Sequence, residues 1–315
     1  MKKILVTGSM GQIGSELVSH LRDRYGSSNV IASGRRKKNG SIADQGPFEL
    51  LDVTDSEKTE AVVRNNKVNT IYHLASLLSA TGEQDPQALW NINMNGLINV
   101  LEAARAHGCS VFFPSSIAVF GSQSPKDKTP QDTITRPSTI YGISKVSGEL
   151  LCDYYHLKYG LDIRGLRYPG IISNVALPGG GTTDYAVLIF YDALKDGRHT
   201  CFLKEDTALD FIYMPDALEG AVKLMEADPA KLRHRNAFNI TAMSITPKQL
   251  AAAIKEHKPD FAIDYEIDPV RQEIADSWPN SLDDSEARTQ WGWDPQYDLK
   301  KMTTDMLEVL AARIN

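Results

Sequence analysis

A phenol and an ammonium stand four residues apart in Tyr141-Gly142-Ile143-Ser144-Lys145. On a helix that spacing puts both on one face. A tyrosine hydroxyl ionises near 10 and is a poor base at neutral pH. A neighbouring ammonium, with a positive nicotinamide ring nearby, would lower that value toward the working range and turn the phenol into a proton acceptor. A YxxxK alone is common on helix surfaces, so the pattern needs company. Ser115-Ser116 supplies some of it, placed just past an apolar run where a hydroxyl can hold the oxygen that Tyr141 deprotonates. Further upstream lies Gly8-Ser9-Met10-Gly11-Gln12-Ile13-Gly14, a GxxGxxG that follows an apolar N-terminal run. Glycines at that spacing allow a tight turn, close approach of the backbone to a pyrophosphate, and close packing of helix on strand. The helix that starts there offers free N–H groups to phosphates. A base, a hydroxyl holder and a dinucleotide loop point to hydride transfer at a carbinol carbon.

The choice of dinucleotide is less clear-cut. About twenty residues beyond the glycines, an NAD site carries an acid for the adenosine 2′-hydroxyl. Gly34 occupies that place, and Arg35-Arg36-Lys37-Lys38 follows. A missing carboxylate beside guanidinium groups favours a 2′-phosphate, and the same run also reads as a solvated loop. Asp52 and Val53, after a third apolar run, suit an acid and an apolar residue beside adenine, although Asp52 could equally cap the helix that begins near residue 55.

The elements that must position these groups follow from periodicity. Residues 4–8 and 29–33 read as strands around a helix over 14–24. A strand over 48–53, a helix over 56–65 and a strand over 70–74 come next, then a long helix over 89–107. Residues 110–114, 140–158 and 162–166 read as strand, helix and strand. Short apolar runs alternating with helices mean parallel strands joined by right-handed crossovers, a doubly wound α/β sheet. After Arg167 the rhythm breaks. Pro178-Gly179-Gly180-Gly181 is a loop, residues 184–195 a helix, 210–213 a strand, and 215–227 a helix with Asp216 in its first turn. Short strands from 237, a helix over 247–257 and a terminal helix complete the chain. Residues 1–170 read as a dinucleotide-binding unit and 171–315 as mainly a smaller substrate lobe, interleaved because a segment near 205–235 returns to the first.

Composition removes several function classes. The 315 residues carry 34 basic against 40 acidic side chains, a net charge of −6, with 42% hydrophobic and 23% charged content. No basic footprint for nucleic acid is present, and no apolar run approaches the ~20 residues that span a bilayer. Cys109, Cys152 and Cys201 are odd in number and have no CxxC spacing, which argues against disulfides and a zinc site. The seven histidines show no metal-ligand spacing either. Met1-Lys2-Lys3 leads straight into the first strand without a secretory or transit signal, so a reduced cytoplasmic location is expected.

With these residues in view, the chain resembles the extended short-chain dehydrogenase/reductase family, and within it the NAD-dependent L-threonine 3-dehydrogenases related to UDP-sugar epimerases. The family-wide marks are residues 8–14, His73-Leu74-Ala75, Asn93 with Asn95-Gly96, Ser115-Ser116, Tyr141 with Lys145, and Arg167-Tyr168-Pro169-Gly170. More specific strings are Leu77-Leu78-Ser79-Ala80-Thr81-Gly82-Glu83, Gly180-Gly181-Thr182-Thr183-Asp184-Tyr185-Ala186-Val187, and a third over 270–285 that includes Trp278. The resemblance implies a Rossmann-type fold and an L-threonine β-hydroxyl oxidised to 2-amino-3-oxobutyrate without a metal. It makes Ser116, rather than Ser115, the catalytic hydroxyl, twenty-five residues before Tyr141. Tyr141 is then the base, and Lys145 tunes it and anchors the nicotinamide ribose. Leu74, Ala75, Asn93 and Tyr168 join Gly8, Gly11, Gln12, Ile13, Gly14, Arg35, Asp52 and Val53 around the cofactor.

Ser79, Gly181, Thr182, Thr183 and Trp278 grip the amino acid by the same resemblance, and the three glycines before Thr182 form a closing segment. Each has a plain structural alternative: Ser79 a turn cap, Thr183 an N-cap, Trp278 a core residue. NAD is the implied cofactor, while Gly34 leaves NADP or dual use open. Apolar faces on the helices over 89–107 and 140–158 imply a homodimer through a helix bundle. A nucleotide-sugar epimerase or dehydratase on the same scaffold, or a silent dinucleotide sensor, are the competing readings.

Overall fold

In β1 (Ile4–Thr7), all four residues are buried, as expected of a strand covered on both faces. Its even and odd positions enter different cores. Ile4 and Val6 pack with Leu17 and Leu21 of helix Gln12–Tyr25 and with Ala221 and Val222 of helix Met214–Glu226. Leu5 packs on the other side with Val62 of helix Ser56–Asn65 and with Leu97 and Val100 of helix Gly96–His107. This is the computed structural model of the chain, describing residues 2–37 and 40–314.

Around β1 stand β2 (Val30–Gly34), β3 (Phe48–Leu50), β4 (Thr70–His73), β5 (Ser110–Ser116) and β6 (Ile163–Tyr168). The seven-stranded sheet runs Phe238–Asn239, β6, β5, β4, β1, β2, β3, and every pairing in it is parallel. Ile4 pairs with Val30 on one side and Thr70 on the other. The strand order therefore reverses between β1 and β4, and the crevice beyond their carboxyl ends is where a doubly wound sheet binds its ligand.

The C-terminal half has its own core, in which Tyr185 and Phe190 of helix Tyr185–Lys195 meet Phe211, Ile254, Met302 and Met306. Two small sheets frame it. Met243–Ile245, Leu209–Tyr213 and Gly170–Ile172 form one, and Arg198–Cys201 with Ala262–Tyr265 the other. The chain weaves between the halves: Leu209–Tyr213 lies in the small sheet, yet the next helix covers the large sheet and Phe238–Asn239 adds its seventh strand. Among the described residues no helix is long and apolar enough to cross a membrane.

Four local features differ from the sequence reading. The helix over 89–107 is not continuous. Helix Pro86–Trp90 and helix Gly96–His107 are joined by a π-helical turn at Asn91–Asn95, which carries the Asn93 side chain inward. The third strand stops at Leu50, and Asp52 does not cap the following helix. Its carboxylate accepts from the N–H and hydroxyl of Thr54, while Asp55 caps by accepting from Lys58 N at 2.9 Å. Asp216 sits in a first turn but accepts from Gln296 N at 2.9 Å and Tyr297 N at 3.0 Å, tying a distant segment rather than its own helix. A short helix, Ser79–Gln84, forms where periodicity gave no signal.

Candidate active site

Helix Ile140–Tyr159 begins with Thr139 accepting from Gly142 N at 3.0 Å and ends on Gly160 in the left-handed conformation. That cap places Tyr141 in the first turn and Lys145 one turn later. Lys145 is buried; its ammonium donates to the Pro114 carbonyl at 2.8 Å and lies 5.5 Å from the centre of the Tyr141 ring. Pro114 belongs to β5, so the same strand that ends in Ser116 also holds the lysine. Behind them a buried ion pair fixes the strand end. Arg167 on β6 grips Glu149 through Nε at 2.9 Å and Nη2 at 2.8 Å, and the Ser115 hydroxyl donates to the same carboxylate. Ser115 is thus committed to the scaffold, whereas Ser116, whose Oγ accepts from Ala118 N at 3.2 Å, lines the cleft beside Tyr141.

Burial pushes the Tyr141 phenol up to about 12, with Ser116 the only group that pulls it down. Burial also brings Lys145 down to about 8, against the field of Glu149. Desolvation is thus the largest influence on the phenol. A phenol raised by burial gains as a base from positive charge brought beside it. His73, buried beside Lys145, accepts or donates at 2.9 Å to Thr7 Oγ, and burial keeps it neutral with a value near 3.

The glycine loop fits a pyrophosphate. Gly8 has φ +66°, and a Cβ there would lie 2.6 Å from Ala75 N; a Cβ on Gly14 would lie 2.3 Å from the Gly8 carbonyl. Helix Gln12–Tyr25 starts at Gly11 without a capping side chain, which leaves its first N–H groups for an anion. Two clefts meet at this loop. One, of about 230 Å³, is lined by Gly8, Gly11, Arg35, Asp52, Val53, Leu74 and Ala75. The other, of about 220 Å³, runs from Gly8, Gly11, Gln12, Ile13, Gly14 and Leu74 to Ser116, Tyr141, Lys145 and Tyr168. Ser79, Gly181, Thr182, Thr183 and Trp278 close its far end. Asn93 alone of the candidates lines neither. It accepts from Leu77 N at 2.8 Å, donates to Ser144, and borders a small cavity shared with His73 and Lys145.

The structure also sorts the structural alternatives. Ser79 opens its short helix, is buried, and caps nothing; the N-cap of Tyr185–Lys195 is Asp184, not Thr183. Trp278 is at once a core residue and a wall of the cleft, its carbonyl held by Lys126 at 2.7 Å. Of the basic run, Arg35 borders the first cleft, Lys37 pairs with Asp44 at 3.0 Å, and Lys38 lies outside the described residues. Asp52 ionises readily, mainly because Thr54 donates its N–H to it, with a smaller contribution from Arg35. Sequence reasoning missed Met10, Leu51 and Ile92 on the dinucleotide side and Ile117, Ile171 and Asp184 on the other. The apolar ones carry no chemical signal and come together only through folding. Asp184 carried one, as a lone carboxylate beside glycines and threonines.

The profile of the NAD dependent epimerase/dehydratase family matches residues 4–241. An uncharacterized epimerase/dehydratase of Staphylococcus saprophyticus is 52% identical over 314 residues, 99% of this chain and 98% of its own. The solved L-threonine dehydrogenase of Clostridium difficile superposes with a TM-score of 0.98 at 59% identity, covering 99% of this chain and 98% of that one. A monomeric L-threonine 3-dehydrogenase from a metagenome superposes with a TM-score of 0.96 at 43% identity, over 99% of this chain and 100% of the other. This chain belongs to the NAD dependent epimerase/dehydratase family and is an oxidoreductase that uses a nicotinamide dinucleotide.

Proposed function

We propose that the chain oxidises the β-hydroxyl of L-threonine to 2-amino-3-oxobutyrate with NAD⁺ as hydride acceptor. The observation that carries this reading is the convergence of Ser116, Tyr141 and Lys145 with Ser79, Thr182, Thr183 and Trp278 in one cleft that continues into the glycine loop. The similarity to solved threonine dehydrogenases supports it.

Ser116 Oγ holds the substrate hydroxyl, and Tyr141 Oη takes its proton. Lys145 holds the nicotinamide ribose and places its charge near the phenol. The oxidised nicotinamide, when bound, supplies the hydride acceptor and the positive charge that Tyr141 otherwise lacks. Tyr141, as phenolate, would be the proton acceptor, and the positioning of the hydroxyl by Ser116 would do the rest. Gly8, Gly11, Gln12, Ile13 and Gly14 would hold the pyrophosphate; Arg35, Asp52, Val53, Leu74 and Ala75 would surround the adenosine. Asn93 would act at one remove, by fixing the loop at Leu77.

Residues 1–170 form the dinucleotide unit in this reading and 171–315 mainly the substrate lobe, with the segment near 205–235 shared. A homodimer belongs to the proposal as well. Leu150, Tyr154 and Leu157 on helix Ile140–Tyr159, and Ile98 on helix Gly96–His107, are exposed apolar groups that a second copy would cover. The three cysteines are buried thiols, which suits a reducing cytoplasm.

The test is an initial-rate assay at 340 nm with L-threonine, run separately with NAD⁺ and NADP⁺. Threonine-dependent NADH formation is expected, reduced by about 10³-fold in Tyr141→Phe. No rate with either cofactor, from protein that still binds NAD⁺, would refute the threonine assignment.

A further inference from the structure

The substrate side of the cleft holds one feature that the proposed chemistry does not use. Of its lining residues, Asp184 is the only carboxylate, and Lys145, the only cation, is already engaged with the Pro114 carbonyl. Asp184 arrives at the end of the glycine-rich segment. Its Oδ2 accepts from Gly180 N at 2.9 Å and Gly181 N at 2.8 Å, which folds the loop back over the start of helix Tyr185–Lys195. Oδ1 has no hydrogen-bond partner among the described residues. It lies close over Gly181, where a Cβ would come within 2.8 Å. One oxygen of this carboxylate therefore clamps the loop, and the other is left unpaired beside Gly181, on a residue that lines the cleft.

Burial raises Asp184 above the usual carboxylate range, opposed by the two glycine N–H groups and by the charge of Arg271. A desolvated carboxylate with one unmatched oxygen gains most from a cationic donor brought to it. The threonine reading supplies such a donor, because an α-amino acid carries an ammonium one carbon from the hydroxyl that Ser116 and Tyr141 engage.

Resting on that reading, we propose that Asp184 Oδ1 receives the substrate ammonium and so makes the site select α-amino-β-hydroxy acids over β-hydroxy acids that lack the amino group. Asp184 is then a specificity residue as well as a loop clamp. The two roles separate in Asp184→Asn, which keeps an oxygen for the glycine N–H groups and loses the charge.

The experiment compares wild type and Asp184→Asn in two measurements: KM for L-threonine with saturating NAD⁺, and the inhibition constant of (R)-3-hydroxybutyrate, which is threonine without its amino group. The expected result is a rise of at least tenfold in KM for threonine, with the inhibition constant of the hydroxybutyrate unchanged or lower. A parallel loss for both ligands would mean that the residue only clamps the loop and would overturn the proposal, as would no change in either. Should the variant be too unstable to assay, Asp184→Glu keeps the charge and lengthens the arm. It should retain the wild-type preference for threonine over β-hydroxy acids that lack the amino group, and loss of that preference with hydroxybutyrate binding intact would also count against the assignment. Wild-type protein that binds NAD⁺ yet does not oxidise threonine would instead remove the parent reading, and this one with it.

Discussion

The two ends of the cleft are assembled by different means. At the dinucleotide end the backbone does most of the work. Ser9 N bonds to the Ser33 carbonyl at 3.0 Å, Gly11 N to Gly8 at 3.0 Å, and Leu74 N to Thr7 at 3.2 Å, so the loop is an extension of the sheet itself. At the substrate end, side chains reach across long stretches of sequence. Lys126 holds the carbonyl of Trp278 and Asp210 accepts from Leu282 N at 2.9 Å, while Asp184 clamps the neighbouring glycine segment locally. A backbone-built site tolerates change in most side chains and fails where a Cβ enters. A site built by side chains can be altered one contact at a time, which is how one scaffold comes to hold different substrates.

Gly8→Ala should break the first end with the largest effect. Positive φ and a Cβ within 2.6 Å of Ala75 N leave no unstrained conformation. Affinity for NAD⁺, measured by titration calorimetry, should fall at least tenfold, and stability by roughly 1–3 kcal/mol. Unchanged affinity would mean that the loop is more compliant than its packing implies.

A middle-sized effect belongs to the substrate end. Asp210 is buried, takes hydrogen bonds from Thr241 and Leu282, and is pushed by burial from an ordinary 3.8 up to about 7. A carboxyl whose folded value is raised binds more protons folded than unfolded between those two values. Stability should therefore fall as pH rises from about 4 to 7 and level off above that, with Asp210 contributing on the order of 4 kcal/mol. Urea unfolding at a series of pH values should show this slope, and Asp210→Asn should flatten it. An identical slope in the variant would assign the dependence to other groups, of which Glu16, raised by burial to about 7, is the first to examine.

Arg35→Ala should give the smallest change, because the side chain is exposed and borders the cleft with no hydrogen-bonded or ion-paired partner among the described residues. NADP⁺ kcat/KM should drop about threefold to tenfold while NAD⁺ stays within about twofold. Equal losses with both cofactors would show that Arg35 meets the part they share.

Much of the large sheet was legible because its determinants are local. The period of β1, the seven residues of the glycine loop and the YxxxK spacing each lie within two turns or one strand. Features that depend on a partner far along the chain were not. Asp52 and Asp55 are equally good caps on paper, and only the path of the chain after Leu50 decides between them. Asp216 looks like a first-turn cap until the segment at Gln296 arrives to use it. The π-helical turn at Asn91–Asn95 answers to the Leu77 loop, which nothing within 89–107 announces.

The candidate residues divide along the same line. Residue type and spacing alone determined that this chain carries a parallel sheet, a phosphate loop at its first crossover, and a phenol and an ammonium on one helical face. These follow from steric and periodic rules that act over a few residues. Tertiary structure decided that Ser115 is spent on Glu149 and Ser116 is not, that burial raises the Tyr141 phenol, and that Asp184 gives one oxygen to the glycine loop. Desolvation and side-chain pairing are sums over atoms brought together from remote segments, so they exist only once the chain has folded.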